Sequence, residues 1–286
     1  MKKIAAIHDL SGYGRASLTV AIPILSHMGY QVCPLPTAIL SAHSEYPHFH
    51  SLDLTDFMEG YIAHWKELNL TFDAIYSGYL ASERQMEMVA GFFRDFKHSR
   101  NFILVDPVLG DNGKLYPGMT PEMVKGMRRL CSHAQVITPN LTESAFLLGE
   151  DPNQPLSTET AIRWCKALGE SGPEYVIITS APDDNDKQVA TLAYNRTDQR
   201  TWRVLCDHIP ASYPGTGDAF ASVITGCLLQ GDSLPEAIDR AVHFISMGIK
   251  ATFGHNHNPL DGIHQEKVLH YLNEPIPYYT YELIEK

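Results

Sequence analysis

Residues 213–222 read YPGTGDAFAS, with Gly215 and Gly217 on either side of Thr216 and a carboxylate, Asp218, directly after. A glycine turn that runs into a helix leaves the first backbone N–H groups without intrahelical partners, at the helix end that carries partial positive charge. Such an end attracts anions. Two glycines let a ligand come close to the backbone, and Asp218 would lie beside whatever the amides hold. On its own the stretch is equally explained by an acid favouring its own helix dipole, since short glycine motifs match by chance.

The same chemistry recurs elsewhere in the chain. Asp106 follows the apolar run FILV, and Pro107 ends any ladder immediately after it. A carboxylate at the edge of a buried strand needs a partner, which is either the next loop or a cation. Residues 138–143 read TPNLTE, so Thr138, Asn140 and Glu143 fall together after another apolar run. Asn140 or Thr142 with Glu143 has the pattern of a helix cap, and Glu143 is also a second acid that could share a hydrated magnesium ion with Asp106. Thr179 and Ser180 offer hydroxyls to phosphate oxygens. Asp9 and Ser11 follow the first apolar run, His43 lies in a loop with His48 and His50, and Tyr79 follows Gly78, which permits close approach. Capping and packing account for each of these singly. The histidines lack a firm zinc spacing. Asp183, Asp184 and Asp186 lack the glycine and distal glutamate of a calcium loop and read as a solvated turn.

The elements that would carry these residues alternate. Strand-like runs at 3–8, 30–35, 72–77, 102–106, 134–138 and 175–179 are separated by helical patterns near 16–28, 55–68, 82–97, 120–132, 142–149 and 157–169. That order predicts a parallel sheet covered on both faces, with ligands bound beyond the carboxyl ends of its strands. After 179 the pattern changes. Runs at 188–195 and 201–208 read as antiparallel strands, followed by helices near 217–230, 234–253 and 262–273. With 286 residues, 44% of them hydrophobic, and no repeat or linker, one domain spanning 1–286 is the expectation.

Composition narrows the function. A formal net charge of −11 without a basic cluster argues against a nucleic-acid partner. Neither a signal peptide nor a membrane span is evident, and five cysteines without CxxC spacing suit reduced thiols, so a cytoplasmic location is expected. Acids and hydroxyls at strand ends, with a glycine-flanked helix start, suit phosphoryl transfer. The GxxxxGK[ST] motif and the protein-kinase signatures are missing.

Taken in order, SGYG after the first strand, LSAHSEY, SGYLAS, DPVLGD, TPNLTE, TS at 179–180 and GTGDAF resemble the pyridoxal (vitamin B6) kinases of the ribokinase-like superfamily. The match runs nearly end to end. It implies a three-layer α/β/α fold with a mostly parallel central sheet and antiparallel strands toward the C-terminal part. It also implies ATP- and Mg2+-dependent phosphorylation of the 5'-hydroxymethyl group of pyridoxal, pyridoxine or pyridoxamine by a homodimer, and leaves a monovalent cation open. By resemblance, Asp218 is the catalytic base that also touches substrate, and Gly215, Thr216 and Gly217 form the anion hole. Asp106, Thr138, Asn140, Glu143, Thr179, Ser180 and Thr216 belong to the ATP site, with Asp106, Tyr116 and Glu143 around the metal. Asp9, Ser11, His43 and Tyr79 resemble residues around the pyridine ring.

Two departures stand out. Members of that family often carry serine at the Asp9 position, and a carboxylate there would suit the amine of pyridoxamine. No cysteine lies near NGKLYPG to form a covalent adduct. The nearest alternative is a hydroxymethylpyrimidine kinase, whose bifunctional members typically have cysteine where Asp218 stands. A non-catalytic pyridoxal-phosphate carrier is the other, and it would have no use for Asp218 or the glycine turn.

Overall fold

Alternate residues of the first strand face opposite sides of a sheet, Ile4 toward one side and Ala5 and Ile7 toward the other, and all three are buried. A strand buried on both faces needs cover above and below. A computed structural model, which describes residues 1–183, 185, 187–276 and 279–285, supplies that cover with helices on each side. The first half of the chain forms β1 (Lys3–Ser11), α1 (Leu18–His27), β2 (Gln31–Leu40), β3 (Ser51–Asp53), α2 (Thr55–Glu67), β4 (Ala74–Ser77), α3 (Glu83–Phe96) and β5 (Phe102–Val105). Then come β6 (Gly110–Asp111), β7 (Lys114–Leu115), α4 (Pro121–Cys131), β8 (Val136–Ile137), α5 (Leu141–Leu148), α6 (Thr158–Glu170) and β9 (Tyr175–Pro182). The chain closes with β10 (Gln188–Asn195), β11 (Arg200–Asp207), α7 (Thr216–Gln230), α8 (Leu234–Phe253) and β12 (Glu282–Glu285).

The strands form a 10-stranded sheet in the order β3-β2-β1-β4-β5-β8-β9-β10-β11-β12, and β6 with β7 makes a separate hairpin. From β2 to β9 the neighbours are parallel, whereas β3, β10, β11 and β12 pair antiparallel. Met58, Trp65, Phe92, Met127 and Trp164 pack one face from α2, α3, α4 and α6. Ile24, Ile224 and Ile238 pack the other from α1, α7 and α8. Three layers result, as the resemblance implies. Among the described residues no helix is long and apolar enough to cross a membrane.

The sequence pattern misses the edges of the sheet. β3 is three exposed residues and β12 four half-exposed ones, too short for a periodic signal. The helix expected at 262–273 is instead two short 3-10 helices, Gln265–Lys267 and Leu269–Asn273, preceded by a third at Pro259–Asp261. Outside partners account for the breaks. Arg15 N–H donates to the Asp261 carbonyl, His264 N–H to Thr252 Oγ1 and the Gln265 side-chain amide to the Thr19 carbonyl, so this segment is tied to α1 and α8 rather than to itself. Asp183 pairs with Arg203, while Asp184 and Asp186 lie outside the described residues.

Strand register fixes the site. Ile7 pairs with Ser77, Ser77 with Val105 and Val105 with Ile137, so the next residues His8, Gly78, Asp106 and Thr138 form a row, the last three just past the ends of β4, β5 and β8 and His8 still within β1.

Candidate active site

Beyond that row lies a cavity of about 670 Å³, lined by Asp106, Tyr116, Thr138, Asn140, Glu143, Thr179, Ser180 and Gly215 to Asp218. Every residue expected in the ATP site, the anion hole and around the metal therefore meets in one space.

α7 begins there because Gly215 takes φ 77°, a left-handed conformation that turns the chain into the helix. The first intrahelical bond runs from Ala219 N–H to the Gly215 carbonyl at 2.9 Å. The amides of Thr216, Gly217 and Asp218 precede it without intrahelical partners, and these residues line the cavity, an arrangement suited to phosphate oxygens. The Asp218 carboxylate does not cap this helix. Its Oδ1 is 2.8 Å from His8 Nε2, and its Oδ2 accepts the Ser17 N–H at 2.7 Å.

Glu143 is part of a complete capping box with Asn140, and both of its oxygens accept backbone N–H groups, from Leu109 at 3.1 Å and Asn140 at 2.8 Å. Burial, then the Asp106 carboxylate, push Glu143 well above the usual carboxylate range. Asp106 accepts Thr138 Oγ1 at 3.1 Å and is pushed up to about 7, by burial first and by Asp218 second. These are hard oxygen donors crowded in one space, and among the described residues the cavity lining contains no lysine, arginine or histidine. Tyr116 also lines the space, and burial, then the neighbouring Glu143, push its phenol up. It stands in the same lining as Asp106 and Glu143, where it was expected.

Of the residues expected around the substrate, Asp218 lines this cavity, whereas Asp9, Ser11, His43 and Tyr79 lie outside its lining. Asp9 is buried, with Oδ1 2.9 Å from His8 Nδ1 and Oδ2 accepting Ser11 Oγ at 3.1 Å. Both carboxylate oxygens thus have partners inside the protein. Ser11 serves Asp9. His43 is buried against the Leu260 carbonyl, 2.6 Å from its Nε2, and packs on Tyr46. Tyr79 directs its backbone N–H toward the His8 ring. Gly78 does permit a close approach, but by the His8 ring rather than by a ligand: a Cβ there would lie 2.1 Å from His8 Nε2.

Two contributors escape sequence reading. His8 lies within β1 after a run of buried apolar residues, and a histidine in that place looks like a buried core residue. Ser17 carries φ 59°, unusual for a residue with a side chain, and only this backbone turn aims its N–H at Asp218.

Residues 13–261 match the phosphomethylpyrimidine kinase family. A pyridoxine/pyridoxal/pyridoxamine kinase from Bordetella pertussis is 30% identical over 250 residues, 83% of this chain and 85% of its own. A structure described as a phosphomethylpyrimidine kinase from Bacteroides thetaiotaomicron, in a crystal form with pyridoxal, is 56% identical with a TM-score of 0.96 over 99% of each chain. Pyridoxal kinase from Lactobacillus plantarum is 31% identical with a TM-score of 0.87, covering 95% of this chain and 96% of its own. The chain thus belongs to the phosphomethylpyrimidine kinase family and has the ribokinase-like fold of the vitamin B6 kinases.

Proposed function

We propose that this chain transfers the γ-phosphoryl group of ATP to the 5'-hydroxymethyl group of pyridoxal, pyridoxine or pyridoxamine. The observation that carries the reading is Asp218, an acid fixed at the start of α7 in the same cavity as the leading amides of that helix. Asp218 takes the hydroxyl proton as the alcohol oxygen bonds to the γ-phosphorus and the bond to the bridging oxygen breaks, leaving ADP and the phosphate ester. The amides of Thr216, Gly217 and Asp218 hold the charge on the transferring group. Thr138, Asn140, Thr179 and Ser180 line the nucleotide side of the cavity. The 56% identical relative crystallised with pyridoxal supports a B6 vitamer as the alcohol.

Glu45, Asp106, Asp111, Glu143 and Asp218 all line the cavity, so side chains there do not neutralise a triphosphate. Among the described residues no group of three or more His, Cys, Asp or Glu could hold a metal unaided. That donor set fits Mg2+, which is commonly carried by one or two carboxylates together with substrate phosphates and water. Asp106 is the residue placed to hold it, with Glu143 behind; when bound, the ion supplies positive charge to the phosphates. The same acidic lining suits a monovalent cation.

The reading extends to one kinase domain over 1–286, since a single sheet takes strands from both ends of the chain. It also includes a cytoplasmic homodimer. Exposed Ile39, Leu52 and Phe57 gather near the β2–β3 edge, where a second copy would cover them. A second reading, phosphorylation of hydroxymethylpyrimidine, is favoured by the family match.

ADP release with Mg-ATP is to be measured across pyridoxal, pyridoxine, pyridoxamine and hydroxymethylpyrimidine. Replacing the base, Asp218→Ala, should cost about 10²- to 10⁴-fold in kcat. Wild-type kcat in that variant refutes the mechanism, and faster turnover of hydroxymethylpyrimidine moves the assignment to the second reading.

A further inference from the structure

His8 is 2% exposed, and each of its ring nitrogens faces a different carboxylate. Nε2 lies 2.8 Å from Asp218 Oδ1, and Nδ1 lies 2.9 Å from Asp9 Oδ1. An ionised carboxylate can only accept, so both contacts are hydrogen bonds when each nitrogen carries a proton, as in the imidazolium, and the Asp9 and Tyr79 backbone N–H groups that approach Nδ1 at 3.0 and 3.3 Å are then contacts rather than hydrogen bonds. Asp9 is itself anchored by Ser11 Oγ. The ring occupies space that Gly78 leaves by having no Cβ, and the T-shaped contact with Tyr76 covers it from another side. A chain of Ser11, Asp9, His8 and Asp218 therefore runs from the end of β1 to the first turn of α7.

We propose that His8 is a positioning residue for the phosphoryl transfer: held by Asp9 and seated against Gly78, it fixes Asp218 Oδ1 while the Ser17 N–H fixes Oδ2. This rests on Asp218 being the base. A carboxylate in the first turn of a helix is otherwise drawn to the helix's own amides, where it would compete with the phosphoryl group for the anion hole. His8 and Ser17 hold it away from those amides and leave its remaining lone pairs for the hydroxyl. Charge adds to geometry. Asp218 and Asp106 share the cavity, and a cation behind Asp218 offsets the repulsion between them. Burial opposes charge on His8, but Asp218 and then Asp9 outweigh it and raise the ring to about 10.

Leucine at this position fills similar space and donates nothing. His8→Leu should lower kcat by about 10- to 10²-fold with KM for ATP and alcohol nearly unchanged, while His8→Gln, which can still donate to Asp218, recovers most of the loss. In an Asp218→Asn background the leucine substitution should cost no more than about twofold, because the two residues act as one unit. Thermal melts establish that each variant is folded, and if leucine prevents folding His8→Asn, whose amide is too short to span both carboxylates, replaces it. Ring 15N shifts of the wild-type protein at pH 8 should report both His8 nitrogens protonated. A neutral ring, a folded leucine or asparagine variant with wild-type kcat, or an equal cost in the Asp218→Asn background overturns the proposal. The 15N readout needs no substrate, so failure of the vitamin B6 reading and failure of the role of His8 give different results.

Discussion

Three glycines of the α7 region separate conformational strain from steric strain, and alanine at each has a distinct expected outcome. At Gly215, φ is 77° and a Cβ would lie 2.2 Å from the Arg15 carbonyl oxygen and 3.2 Å from Val20 Cγ2. A left-handed residue with a side chain costs about 1–2 kcal/mol. Forcing a methyl into packed backbone adds about 1–3 kcal/mol, because the 2.2 Å contact must open by roughly an ångström. Gly215→Ala should therefore lose about 2–5 kcal/mol of stability. At Gly231, beyond the other end of α7, φ is 100° but a Cβ meets nothing within 4 Å. Only the conformational cost of about 1–2 kcal/mol applies there, and kcat should be unchanged. Gly217 has neither burden, since a Cβ meets only Asp106 Oδ2 at 3.9 Å. Gly217→Ala should keep its stability and still lose activity, because the methyl enters the space where phosphate and Asp106 meet. Shifting the start of α7 by about 1 Å in Gly215→Ala should cost on the order of 10²-fold in kcat. Urea unfolding midpoints and ADP release on the same preparations test all three. The reasoning fails if Gly215→Ala is no less stable than Gly231→Ala and keeps its kcat.

Two further outcomes follow from charge and from the sheet edge. His8 is raised from 6.5 to about 10 in the folded protein, so its contribution to stability is fully present below pH 6.5 and is lost as pH rises through 10. The stability of wild type relative to His8→Gln should fall by roughly 3 kcal/mol between pH 7 and 9, at about 1.4 kcal/mol per pH unit; parallel urea curves for the two proteins contradict the imidazolium assignment. Leu52 and Phe57 are 60% and 61% exposed, so Leu52→Glu with Phe57→Glu should convert a dimer to a folded monomer by light scattering, and a dimer that persists removes this edge as the interface.

Much of the site could be read from residue order because it is local. Asn140 with Glu143 spells a capping box, and the structure contains it. The turn GTGD needs a left-handed residue before a helix, and Gly215 supplies it. Apolar runs ending in Asp106 and Thr138 mark strand ends, and parallel pairing then aligns them. Asp9 is different. Its type and place suggested a substrate contact, but nothing nearby in sequence indicates that His8 would turn its ring between Asp9 and a residue 210 positions away. The final segment fails similarly, because the partners that break its helix lie on α1 and α8.

What the sequence by itself determined, then, is the order of strands and helices, the acids and hydroxyls at strand ends, and a helix start fit for an anion. Tertiary structure alone decided which groups hold Asp218 and which acids lack a side-chain counter-charge. Periodicity and capping act over a few residues, whereas a carboxylate's orientation depends on what the register of distant strands and the packing of α1 against α7 bring within 3 Å of it.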